Sequence, residues 1–89
     1  MNGHMRLVVL VSGNGSNLQA ILDACESGVL AAEVVAVVSN KHDVKALERA
    51  ESAGVPAVVV SAVTGESRAD YDTRLTSVVS SFMADFVVL

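Results

Sequence analysis

Apolar and polar positions follow two different periods along this chain. Leu7-Val8-Val9-Leu10-Val11 is an unbroken, β-branched-rich apolar run, the pattern of a strand buried on both faces of a parallel sheet. From Ser16 the period changes. Leu18, Ile21, Leu22 and Cys25 fall at i, i+3, i+4 and i+7, a helical stripe that Gly28 is placed to stop. Val34-Val35-Ala36-Val37-Val38 predicts a second strand. Asp43 is placed to cap a helix carrying Val44, Leu47 and Ala50, with Gly54 and Pro56 ending it. Ala57-Val58-Val59-Val60 predicts a third strand. After the polar turn Thr64-Gly65-Glu66-Ser67, the stripe Tyr71, Leu75, Val78, Val79 and Phe82 predicts the longest helix. Asp85-Phe86-Val87-Val88-Leu89 reads as a fourth strand.

Strands alternating with helices in this way predict an α/β fold, a doubly wound Rossmann-like parallel sheet of about four strands and three helices. No internal repeat, low-complexity tract or interdomain linker interrupts the pattern. The sequence stops at Leu89 inside a buried-type strand, with no helix or polar tail after it. The expectation is therefore that residues 1–89 form the front half of a larger domain. Strand four would be left uncovered and prone to self-association. Residues 1–5 read either as a native start or as a tag with the scar Gly3-His4-Met5, and His4 is left out of any site.

Composition narrows the function. With 89 residues the chain is one small domain or part of one, and 52% hydrophobic content excludes a disordered tail. A net charge of -4 without a basic cluster, and only three aromatics (Tyr71, Phe82, Phe86), argue against nucleic acid. No apolar run approaches the roughly 20 residues of a membrane span. Cys25 stands alone, so neither a disulfide framework nor a zinc cluster can be built, which fits a cytoplasmic setting. On the buried stripe of the first helix it reads as a small core residue.

The candidate chemistry lies in Val11-Ser12-Gly13-Asn14-Gly15-Ser16-Asn17-Leu18, between the first strand and the first helix, where an α/β sheet places its ligand crevice. Gly13 and Gly15 permit a tight turn and close approach of backbone to a ligand. The first-turn amides of the helix have no intrahelical partner and, with the helix dipole, favour an anion. The Ser16 and Asn17 side chains can add hydrogen bonds, and phosphate is the expected guest. The bland alternative is a tight turn with Ser16 as an ordinary N-cap. Two nucleotide motifs fit poorly. The dinucleotide fingerprint wants a glycine where Leu18 stands and an acid where Ser39-Asn40-Lys41 stands, and a Walker loop wants a lysine that is missing.

Ser12-Gly13-Asn14-Gly15-Ser16-Asn17-Leu18-Gln19-Ala20, then Val38-Ser39-Asn40-Lys41, Ser67-Arg68-Ala69-Asp70-Tyr71-Asp72 and Ala84-Asp85-Phe86-Val87-Val88-Leu89, resemble in the same order the phosphoribosylglycinamide formyltransferase family. The resemblance implies transfer of a formyl group from 10-formyltetrahydrofolate to glycinamide ribonucleotide in purine biosynthesis. It places the ribonucleotide phosphate on Gly15, Ser16 and Asn17, and assigns Arg68 to the folate side. Read by itself, Arg68 is a solvated charge in a first helical turn. The resemblance also implies that the family's catalytic asparagine, histidine and aspartate lie downstream of the last strand, so no catalytic residue is assigned within residues 1–89. His42 reads as a solvated loop histidine, and Asp70 and Asp72 point to different helix faces. A free-standing Rossmann-like module that binds a phosphorylated metabolite without catalysis is the alternative. Methionyl-tRNA formyltransferases and formyltetrahydrofolate deformylase share the general fold but are not associated with the Ser-Gly-Asn-Gly-Ser-Asn loop.

Overall fold

A computed structural model of the chain describes residues 5–42 and 44–88. Its elements run β1 (Met5–Val11), α1 (Ser16–Ser27), β2 (Ala32–Ser39), α2 (Lys45–Ser52), β3 (Ala57–Val59), α3 (Arg68–Ser81) and β4 (Phe86–Val88). All neighbouring strands pair in parallel, in the order β3-β2-β1-β4. The chain thus winds outward from β1 in one direction through β2 and β3, then returns to add β4 on the other side.

Alternate side chains of the central strands feed two separate cores. Val9, Val34 and Val37 face α1 and α2, where Leu18, Ala46 and Ala50 are fully buried and Ile21, Leu22 and Cys25 pack around them. Val8, Ala36 and Val38 face α3, which lays Tyr71, Leu75, Val78, Val79 and Phe82 over them. Helices on both faces make the sheet doubly wound, as the periodicity predicts. β1 runs at the centre with Val8 and Val9 buried, which explains its continuous apolar run.

The structure refines several boundaries. β2 is longer than its apolar run, because Ala32 and Glu33 pair with Met5 and Arg6, and Ser39 pairs with Val11. Its register slips by one residue between Leu7 and Val8 of β1, so Val35 has no partner across the ladder. The predicted cap Asp43 and the terminal Leu89 lie outside the described residues. Gly28 ends α1 in a left-handed conformation, its N–H donating to Cys25 O. Burial pushes the Cys25 thiol above its ordinary pKa, in keeping with a core role.

Candidate functional site

α1 begins without a side-chain cap. Gly15 occupies the N-cap position at φ +80°, and Ser16 is the first helical residue rather than the cap. The first amide of α1 with a backbone partner is that of Gln19, which donates to Gly15 O at 2.9 Å. Among the described residues, the N–H groups of Ser16, Asn17 and Leu18 have no backbone acceptor. Ser16 and Asn17 are exposed, whereas Leu18 turns inward and is fully buried. The loop lines a cavity of about 320 Å³ whose wall also includes Val9, Ile21 and Val88.

Val88 is informative because it closes β4, the strand laid on the opposite side of β1 from β2. The cavity therefore lies at the C-terminal ends of β1 and β4, where the strand order reverses. Open α/β sheets receive ligands at this switch point. Gly15, Ser16 and Asn17 are brought together there.

The two glycines of the loop stand in different surroundings. A Cβ on Gly15 would stand 2.7 Å from Ala46 Cβ and 2.8 Å from Ala46 Cα, whereas one on Gly13 would meet nothing within 4 Å. The bare Cα of Gly15 thus admits the close approach of α2. α2 holds the loop further through Ala46 N–H, which donates to Gly13 O at 3.1 Å. Arg49 donates from Nε to Asn14 O at 2.8 Å, from Nη2 to Asn14 Oδ1 at 3.1 Å and from Nη1 to Gln19 Oε1 at 3.2 Å. Gln19 Nε2 in turn donates to Asp23 Oδ1 at 3.0 Å. The sequence offered no signal for Arg49, a charged residue on an amphipathic helix whose spacing reads as a solvated face.

Arg68 stands apart from this cavity. It lines a second one, of about 350 Å³, on the α3 face of the sheet with Ser12, Asn40, Tyr71 and Asp72. Its side chain is 91% exposed, and its Nε lies 3.7 Å from Asp72 Oδ1 one turn on. The two cavities meet only at the end of β1, where Leu10, Val11 and Ser12 border both. Below Arg68, Ser67 Oγ caps α3 by accepting from Asp70 N–H at 3.1 Å. Arg74 donates to both Glu66 oxygens at 3.0 and 2.8 Å and to Ser61 O at 2.6 Å, while Tyr71 OH donates to Val60 O at 2.7 Å. The Arg74 hydrogen bonds hold the Glu66 carboxyl below the usual carboxylate range, helped by the N–H of Val63. His42 is exposed, and Ser39 Oγ braces the turn before it by donating to Lys41 O at 2.6 Å.

The fold and loop define an α/β domain with an uncapped helix start at its switch point. Comparison with known proteins makes the assignment specific. The chain belongs to the formyl transferase family, whose model matches residues 5–89. It is 47% identical over 85 residues to phosphoribosylglycinamide formyltransferase of Escherichia coli (strain K12), covering 96% of this chain and 40% of that protein. It is 42% identical over 84 residues to the trifunctional purine biosynthetic protein adenosine-3 of Bos taurus, covering 94% of this chain and 8% of that one. The crystal structure of glycinamide ribonucleotide transformylase 1 from Symbiobacterium toebii superposes with a TM-score of 0.90 at 38% identity. That match takes in 98% of this chain and 41% of that one. The chain thus spans about two fifths or less of the length of each of these proteins.

Proposed function

We propose that the chain supplies the ribonucleotide-phosphate part of a phosphoribosylglycinamide formyltransferase, with glycinamide ribonucleotide as acceptor and 10-formyltetrahydrofolate as formyl donor. The observation that carries this reading is the free first turn of α1, Ser16 to Leu18, beside a cavity at the point where the strand order reverses. Amides with no acceptor at a helix N-terminus favour a dianion both by hydrogen bonding and through the helix dipole. The names of the relatives support the choice of phosphate ester.

Gly15, Ser16 and Asn17 hold the phosphate, Ser16 and Asn17 through side chains as well as amides. Arg68 serves the folate side from the neighbouring cavity, where a flexible, exposed cation can meet a carboxylate. In the transfer, the glycinamide amine attacks the formyl carbon, the nitrogen–carbon bond to the folate breaks, and the amine proton passes to the departing tetrahydrofolate. The chain's contribution is binding and orientation rather than proton transfer. Arg49, which touches the loop, is engaged in holding it. Residues 1–89 thus act as the binding half of the larger domain, and self-association through β4 belongs to the same proposal.

The test is to assay formyl transfer by residues 1–89 and by the complete reading frame, each with both substrates. The reading expects turnover only from the latter. Turnover by residues 1–89 would refute the division of labour. Phosphate-ester binding without transfer by either form would favour the non-catalytic metabolite-binding module.

A further inference from the structure

The peptide groups of the phosphate loop are oriented from behind. Gly13 O accepts from Ala46 N–H at 3.1 Å and Asn14 O accepts from Arg49 Nε at 2.8 Å, so two successive carbonyls are drawn toward α2. In a planar trans peptide the C=O and the following N–H point in opposite directions. Drawing these oxygens toward α2 therefore turns the N–H groups of Asn14 and Gly15 away from it. The 320 Å³ cavity is on that side, since its lining takes residues from β1, the loop, α1 and β4 and none from α2. Successive amides facing one concavity form an anion nest.

We infer that Arg49 is a positioning residue for the phosphate loop. It does not touch the ligand, but fixes the Asn14 peptide so that the Gly15 amide and the first turn of α1 converge on one anion. The inference rests on the phosphate reading above and adds to it a residue on a different helix. Three features of the contact support it. The guanidinium binds both the main-chain and side-chain oxygens of Asn14, a fork that a lysine cannot reproduce. Its remaining nitrogen, Nη1, reaches Gln19, one turn into α1, so a single side chain ties the loop to the helix that follows it. The same contact removes carbonyl dipoles from the side an anion approaches, where they would repel it.

The experiment uses the protein expressed at the full length of its reading frame, as wild type, Arg49→Ala and Arg49→Lys. Two quantities are read for each: inorganic phosphate affinity from amide chemical shifts, and backbone order of residues 13–17 from nitrogen relaxation without ligand. Arg49→Ala is expected to keep a cooperative melt, lower the order of Asn14 and Gly15, and weaken phosphate binding by about tenfold or more, the scale of losing one charge-assisted hydrogen bond. In formyl transfer, KM for the ribonucleotide should rise while KM for the folate donor stays. Arg49→Lys is expected to resemble Arg49→Ala. Full recovery by lysine would mean that the charge alone acts on phosphate, and would overturn the inference. Wild-type affinity and loop order in Arg49→Ala would do the same. If wild type shifts no loop amide with phosphate, the phosphate reading itself fails. The relaxation data still decide whether Arg49 orders the loop.

Discussion

Gly15 illustrates how a residue legible in sequence can act through a contact that is not. The Gly-rich turn announces tight backbone, and the left-handed φ of +80° confirms that demand. The use of its missing Cβ against Ala46, 31 positions later, required the packing of α2 onto the loop. Arg49 was hidden for the same reason, since nothing in its spacing tells a fork aimed at Asn14 from a solvated charge. Gly15→Val should cost roughly 2–5 kcal/mol, combining a strained left-handed residue with overpacking against a helix backbone. Gly13→Ala should change stability by about 0.5 kcal/mol or less. Denaturant midpoints of the two variants check this, and equal midpoints would contradict the assigned contact. A loss of phosphate binding in Gly15→Val therefore reports the fold, not a blocked ligand.

Among the elements, the strands were the most legible because continuous Val-rich runs admit little else. The extension of β2 to Ala32 and Ser39 was not, since those ends are fixed by hydrogen bonds to β1 rather than by apolar character. Helix starts separate sharply. Ser67 caps α3 with its hydroxyl, whereas α1 begins at Gly15 with no side-chain cap. Ser67→Ala should then cost about 1 kcal/mol and Ser16→Ala less than about 0.5 kcal/mol, measured by thermal or denaturant unfolding. A large loss in Ser16→Ala would restore it as a cap. The turn leading into α3 depends on Glu66, whose carboxyl titrates below its ordinary 4.5 because Arg74 hydrogen-bonds its charged form. A carboxyl with a lowered folded pKa stabilises above its unfolded value and loses that contribution as pH falls through the folded one. The stability difference between wild type and Glu66→Gln should therefore be present at neutral pH and shrink below about pH 4.5. A difference independent of pH would show that the ion pair contributes nothing.

For the molecule as a whole, the order β3-β2-β1-β4 puts β4 at one edge, with Phe86 59% and Val87 46% exposed. Met5 and Leu30 extend this apolar surface around a shallow cavity of about 650 Å³ that the buried Leu7 also lines. Exposed apolar surface beside an unpaired strand edge favours association. Residues 1–89 alone should bind a hydrophobic dye and sediment as more than a monomer at high concentration. A clean monomer without dye binding would contradict that expectation. The doubly wound topology was legible from alternation alone, and the loop from its glycines. The separation of Arg68 from Ser16 and Asn17 into two cavities was not, because it depends on α3 packing on the face opposite α1 and α2.

If the start of α1 receives a phosphate group, backbone amide shifts report it residue by residue. Titrating the complete protein with glycinamide ribonucleotide, and separately with the same riboside lacking its phosphate, isolates that group. Shifts are expected to concentrate on Asn14 to Leu18 with the ribonucleotide, and to be lost or markedly weakened with the riboside. Equal shifts with both compounds, or shifts that leave residues 14–18 untouched, would contradict the phosphate reading.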